Sequence, residues 1–100
     1  MSEREKQILN NSASVIKEYL NHARILLFVS RAKGTSGKNS DFDFAVDSRK
    51  PDLKTLEKFY EKLDDIAGLY SIDLVFLNDV DTGFRNIILK NCKILYERNN

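Results

Sequence analysis

Between Arg24 and Asp47 the chain changes character twice, and no other stretch limits the possible folds as much. Residues 25–29 (ILLFV) are continuously apolar and end at Ser30, the pattern of a strand buried on both faces. Residues 31–40 (RAKGTSGKNS) carry two glycines among polar and basic side chains and read as a connection. Residues 41–47 (DFDFAVD) then alternate strictly. Asp41, Asp43, Ala45 and Asp47 share one face; Phe42, Phe44 and Val46 share the other. The aromatic and β-branched face is predicted to meet the core.

Spacing supplies the elements around this pair of strands. Leu9, Ala13, Ile16 and Leu20, widened by Ile8 and Tyr19, predict a helix over 3–21. His22, at its end, is expected to be exposed. Leu53, Leu56, Tyr60, Leu63 and Ala67, supported by Phe59 and Ile66, predict a helix over 53–67. Pro51 and Asp52 suit its start and Gly68 its end. Residues 71–77 predict a strand that is apolar after Ser71 except at Asp73. A polar turn over 78–83, a short helix over 84–90 and a last strand over 94–96 complete the chain. Cys92 is expected to pack as a small core residue.

The order α-β-loop-β-α-β-α-β predicts an α/β (α+β) fold, a small mixed sheet with flanking helices. One hundred residues suffice for one domain, expected over 1–100. Net charge is +1, which gives no global field for nucleic acid, and no aromatic and basic stacking surface is evident. Autonomous nucleic-acid binding is therefore not expected. One cysteine excludes an internal disulfide framework and fits a reducing compartment. With no apolar run long enough to span a bilayer and a charged start, MSEREKQ, a cytoplasmic protein without a membrane segment is expected.

The chemistry is concentrated in the central stretch. In a strand, Asp41 and Asp43 point the same way with Cα atoms roughly 6–7 Å apart. Such a pair suits a hard cation; Mg²⁺ is held by one or two carboxylates with water and substrate phosphates completing the octahedron. The alternative is an ordinary solvent face of a half-exposed strand. Asp73 weighs against that alternative, because a carboxylate inside an apolar strand is costly without a partner. It would complete a metal site or serve as base, unless it lies at an exposed strand mouth. Ser30 with the amides that follow it, and Arg31, Lys33 or Lys38, would cradle a triphosphate, with Gly34 and Gly37 allowing close approach. Asp47 is about 13 Å beyond Asp43 along an extended strand, too far for the same cation. A Walker-type loop does not fit: Ala32 and Asn39 stand where Gly and Ser or Thr are needed, and a strand follows in place of a helix.

Ser30-Arg31-Ala32-Lys33-Gly34-Thr35, followed by Ser40-Asp41-Phe42-Asp43-Phe44-Ala45-Val46, resembles the signature of the polymerase-beta-like nucleotidyltransferase superfamily. More narrowly, it resembles the minimal nucleotidyltransferases of bacteria and archaea. Ile72-Asp73-Leu74-Val75 matches the strand of their third carboxylate, and Ile94-Leu95-Tyr96 their usual end. The resemblance implies metal-dependent transfer of a nucleoside monophosphate, AMP from ATP by expectation, to an acceptor hydroxyl. It implies that Asp41, Asp43 and Asp73 hold Mg²⁺, or Mn²⁺ in its place, with Asp73 as ligand or base. Ser30 would contact the triphosphate, and so would Arg31. One position departs from the pattern: the family's Gly before Ser is Val29 here. A β-branched residue disfavours positive φ and adds bulk beside the loop. The alternative reading is therefore a weak or inactive nucleotide- or partner-binding subunit that acts by complex formation.

A chain of this length has residues for the metal and the triphosphate but none left for an acceptor-binding lobe. A second protein is expected, or a second copy. The resemblance implies a helical HEPN-type or substrate-binding-subunit-like partner, with this chain as the antitoxin of a toxin–antitoxin pair, able to adenylylate its partner on a tyrosine.

Overall fold

The computed structural model describes residues 2–20, 23–28 and 41–97. Helix α1 spans Glu3–Tyr19, strand β1 Ile25–Phe28, β2 Phe42–Val46, helix α2 Leu53–Ala67, β3 Ile72–Phe76, helix α3 Thr82–Lys90 and β4 Cys92–Tyr96. A 3₁₀ turn over Leu77–Asp79 joins β3 to α3. The expected order is the observed one. Asn21, His22, Val29, Ser30, Arg31, Lys33, Gly34, Gly37 and Lys38 lie outside the described residues.

Each helix begins on a side chain suited to the task. Ser2 and Glu5 form a reciprocal capping box: Ser2 Oγ accepts from Glu5 N at 3.1 Å, and Glu5 Oε1 accepts from Ser2 N at 2.7 Å. Those Ser2 hydrogen bonds hold the Glu5 carboxyl below its ordinary range. Asp52 caps α2, accepting from Thr55 N at 3.3 Å and Thr55 Oγ1 at 2.7 Å, and the same contacts lower its carboxyl. Asp81 caps α3 through Phe84 N at 3.2 Å. That cap starts α3 two residues earlier than apolar spacing predicts, because a cap is polar and leaves no mark in an apolar pattern. At the far end of α2, Gly68 has φ +61°, and its N–H reaches Asp64 O at 3.2 Å. A Cβ there would sit 3.3 Å from the Arg4 guanidinium, which donates to Ile66 O at 3.1 Å. The positive φ calls for glycine, whereas the tip of the Arg4 side chain could give way to a Cβ.

The sheet order is β3-β2-β1-β4. β1 is antiparallel to β2 and β4, and β2 is parallel to β3, with α2 as the crossover. Helices α1 and α2 run in opposite directions over one face. Tyr19 stacks on Phe59 at 5.2 Å, Lys62 meets Glu18 at 3.5 Å, and Arg4 reaches Ile66. Beneath them Ile8, Ile16, Ile25, Phe42, Phe44, Val46, Phe59, Leu63, Leu74 and Phe76 form the main core. On the other face α3 covers a smaller cluster of Leu26, Phe28, Ala45, Leu77 and Ile88. β2 is thus buried on both sides along all five residues.

Several boundaries and stripes differ from expectation. The buried row of α1 is Ile8, Ser12 and Ile16, one position away from Leu9 and Ala13, because a buried serine does not register in an apolar pattern. On α2 the row is Phe59, Leu63 and Ala67, whereas Leu53 is 70% exposed and Tyr60 stands at the rim. Leu53 is the first residue of the helix. Leu77 leaves β3 for the 3₁₀ turn. β4 starts at Cys92, where pairing with Phe28 extends it by two residues; Cys92 is half-buried beside the smaller cluster.

Candidate functional site

Parallel pairing of β2 with β3 sets Asp43 level with Asp73. Residues level in a parallel ladder share a face, so two carboxylates stand side by side on strands about 4.8 Å apart. Antiparallel pairing adds Phe28 opposite Asp43 and Cys92 opposite Phe28. One row therefore crosses the sheet on the α3 side: Asp73, Asp43, Phe28, Cys92. The aromatic floor of that row is fixed by Phe84 of α3, whose ring meets Phe28 edge-on at 6.4 Å. Helix α3 lies over the apolar half of the row.

The two acids differ in exposure. Asp43 is only 4% exposed, and Asp73, on the edge strand, is half-buried. Asp73 Oδ1 accepts from Leu74 N at 3.1 Å. The Tyr60 phenol is raised above its ordinary range, first by burial and then by the nearby Asp73 carboxylate. A solvent face on a half-exposed strand is not what the structure presents, since Ala45, next on that face, is fully buried.

Asp41 takes a different position from the one expected. It forms a bend before β2, and its carboxylate turns to the head of β3. There Oδ2 accepts from Ser71 N at 2.9 Å and Ser71 Oγ at 3.3 Å. Among the described residues no three acidic, histidine or cysteine side chains are gathered closely enough to share one ion. Sequence spacing missed Ser71, because a serine just before an apolar strand is an ordinary boundary residue. Asp47, at the opposite end of β2, pairs with Arg24 at 3.2 Å and has no part in the row.

Phe28 and Asp41 bracket residues 29–40, and Phe28 stands opposite Asp43. The described residues on either side of that stretch therefore lie close to the acids. Oxygen-only donors, one of them withdrawn from water, fit a hard divalent cation. Nitrogen and sulfur ligands suited to softer metals do not line this row beyond the half-buried Cys92.

A mixed four-stranded sheet, with two helices on one face and an aspartate pair on its parallel strands, places the chain in the nucleotidyltransferase class of α/β domains. The family described as "Polymerase beta, Nucleotidyltransferase" matches residues 10–100, and the chain belongs to that family. Three solved structures are similar. A chain of a toxin–antitoxin complex with AMP-PNP is 26% identical, with a TM-score of 0.65 over 90% of this chain and 73% of that one. A chain of a toxin–antitoxin complex, MntA-HpeT with a tyrosine-to-alanine substitution, is 25% identical, with a TM-score of 0.65 over 91% and 73%. MntA-HpeT carrying two aspartate-to-glutamate substitutions, at 24% identity and a TM-score of 0.65 over 90% and 73%, shares the fold. No curated protein matches the sequence. No helix among the described residues is long and apolar enough to cross a membrane.

Proposed function

We propose that this chain is an Mg²⁺-dependent nucleotidyltransferase that moves AMP from ATP to an acceptor hydroxyl, on or together with a helical partner protein in the cytoplasm. The observation that carries the proposal is the level pairing of Asp43 with Asp73. Two carboxyl groups level on adjacent strands offer oxygen donors to one ion, which supports a cation site there. Asp43 and Asp73 would hold the cation, joined by Asp41; the cation supplies charge neutralisation for the phosphates. Ser30 and Arg31 are proposed to contact the triphosphate.

In the reaction the acceptor oxygen forms a new bond to the α-phosphorus. The bond from that phosphorus to the bridging oxygen breaks, and pyrophosphate leaves with the electron pair. The acceptor proton passes to Asp73 Oδ2, the oxygen that the Leu74 N–H does not occupy. The buried position of Asp43 on a central strand fixes the geometry, as positioning dominates phosphoryl-transfer chemistry.

The partner is proposed to be a HEPN-type toxin, with this chain as antitoxin. Support comes from the similar chains, which belong to toxin–antitoxin complexes, one of them with AMP-PNP. The test is incubation with labelled ATP, Mg²⁺ and the product of the neighbouring gene. Label should enter the partner, and Asp43→Ala should abolish it. Transfer to nothing under these conditions, with Asp43→Ala behaving as the parent, refutes the assignment.

A further inference from the structure

The heads of the two parallel strands are tied by a closed ring of hydrogen bonds that the proposed chemistry does not use. Ser71 stands immediately before β3, and Asp41 immediately before β2. Ser71 N and Oγ both donate to Asp41 Oδ2, at 2.9 and 3.3 Å. Asp41 N donates in return to Ser71 Oγ and to Ser71 O, each at 3.1 Å, and Phe42 N shares Ser71 O at 3.1 Å. Continuing the ladder needs only the bonds to Ser71 O. The carboxylate contacts are additional, and they engage the acid expected to join Asp43 and Asp73.

We propose that Ser71 is a positioning residue: it holds Asp41 at the head of β3 while no divalent cation is bound, and releases it to the cation. The inference rests on the metal-site reading above and concerns how that site fills. The Asp41 carboxylate is already engaged by two Ser71 donors, and a cation at the pair would have to draw it away from them. Among the described residues the three acids are not gathered. A cation at the pair would offset the charge of the two acids and offer Asp41 a direct ionic contact in place of its hydrogen bonds.

The sign of one substitution separates this from the usual role of a supporting hydrogen bond. Donors that aim a ligand at a metal strengthen metal binding. A residue that competes with the metal for the ligand weakens it. Ser71→Ala should therefore bind Mn²⁺ tighter, about two- to ten-fold, the worth of one ordinary hydrogen bond.

The measurement is titration of the full chain with Mn²⁺ alone, followed by the loss of the free-ion electron paramagnetic resonance signal. Ser71→Thr, which keeps the hydroxyl, should match the parent. In an Asp41→Ala background Ser71→Ala should change nothing further. Unchanged or weaker Mn²⁺ binding in Ser71→Ala, or the same gain without Asp41, overturns the proposal. Asp43→Asn tells the two levels apart. If it abolishes binding while Ser71→Ala has no effect, the site stands and the role of Ser71 falls; if binding ignores Asp43→Asn, both fall.

Discussion

Asp73→Asn should make the metal-free protein more stable while removing its transferase activity. Asp73 and Asp43 are level on adjacent parallel strands about 4.8 Å apart. At about 5 Å, two like charges cost roughly 0.8 kcal/mol in a water-like dielectric and roughly 3.3 kcal/mol at an effective value of 20. Asp73 is half-buried on the edge strand, so the lower end applies, about 1 kcal/mol. Asparagine keeps the shape and still accepts the Leu74 N–H, so little else is lost. Urea unfolding at pH 7 in EDTA would read the gain as a higher midpoint at constant slope. Saturating Mg²⁺ should then stabilise the parent and leave Asp73→Asn unmoved, closing the gap. The pairwise term comes from the cycle with Asp43→Asn, where the two single gains should fail to add by about 1 kcal/mol. A destabilised Asp73→Asn in EDTA, or strictly additive single changes, refutes the idea that these carboxylates confront each other.

Ser12 Oγ is buried on α1 with no hydrogen-bond partner among the described residues, so Ser12→Ala should raise stability by about 1 kcal/mol in the same urea assay. Gly68→Ala should lose about 1–2 kcal/mol from its positive φ, with a matching fall in thermal midpoint. Val29→Gly should tighten ATP binding and raise turnover if Val29 crowds the phosphates; isothermal titration that finds no change assigns the departure to a neutral exchange. Glu5 and Asp52 have lowered carboxyls, so their contribution is present above the unfolded value of about 4 and is lost as pH falls through the folded values. Acid unfolding of Asp52→Asn should accordingly show a shallower pH dependence than the parent.

Element order was legible because each element has a period of its own. The alternation at 41–47 and the three- and four-residue spacing at 53–67 leave no common solution. Boundaries were less legible where polar atoms set them. Asp81 begins α3, Ser12 occupies the centre of the α1 row, and Cys92 opens β4, and none of these adds to an apolar pattern. Burial of β2 on both faces also escaped alternation. Ala45 is small, so the Asp43 face reads as polar until α3 and Phe28 close over it.

The site divides along the same physical line. That Asp43 and Asp73 share a face follows from strand parity only if the register is known, and a one-residue slip would send Asp73 to the α1 and α2 side. The apolar residues resist that slip. Leu74 and Phe76 belong to the main core with Phe44 and Val46, whereas Val75 packs with Ala45. Shifting β3 by one would turn Leu74 and Phe76 towards the smaller cluster under α3 and bury Asp73 among Phe42, Phe44 and Phe59. The hydrophobic faces thus fix where the acids meet, and the acids contribute nothing to that choice. Asp41 is the case in which no apolar neighbour decides. It lies beyond the ladder, its carboxylate goes to the nearest donors, and those belong to Ser71. Core packing dictates the meeting of the two strand aspartates, and only a local hydrogen-bond competition decides the position of the third.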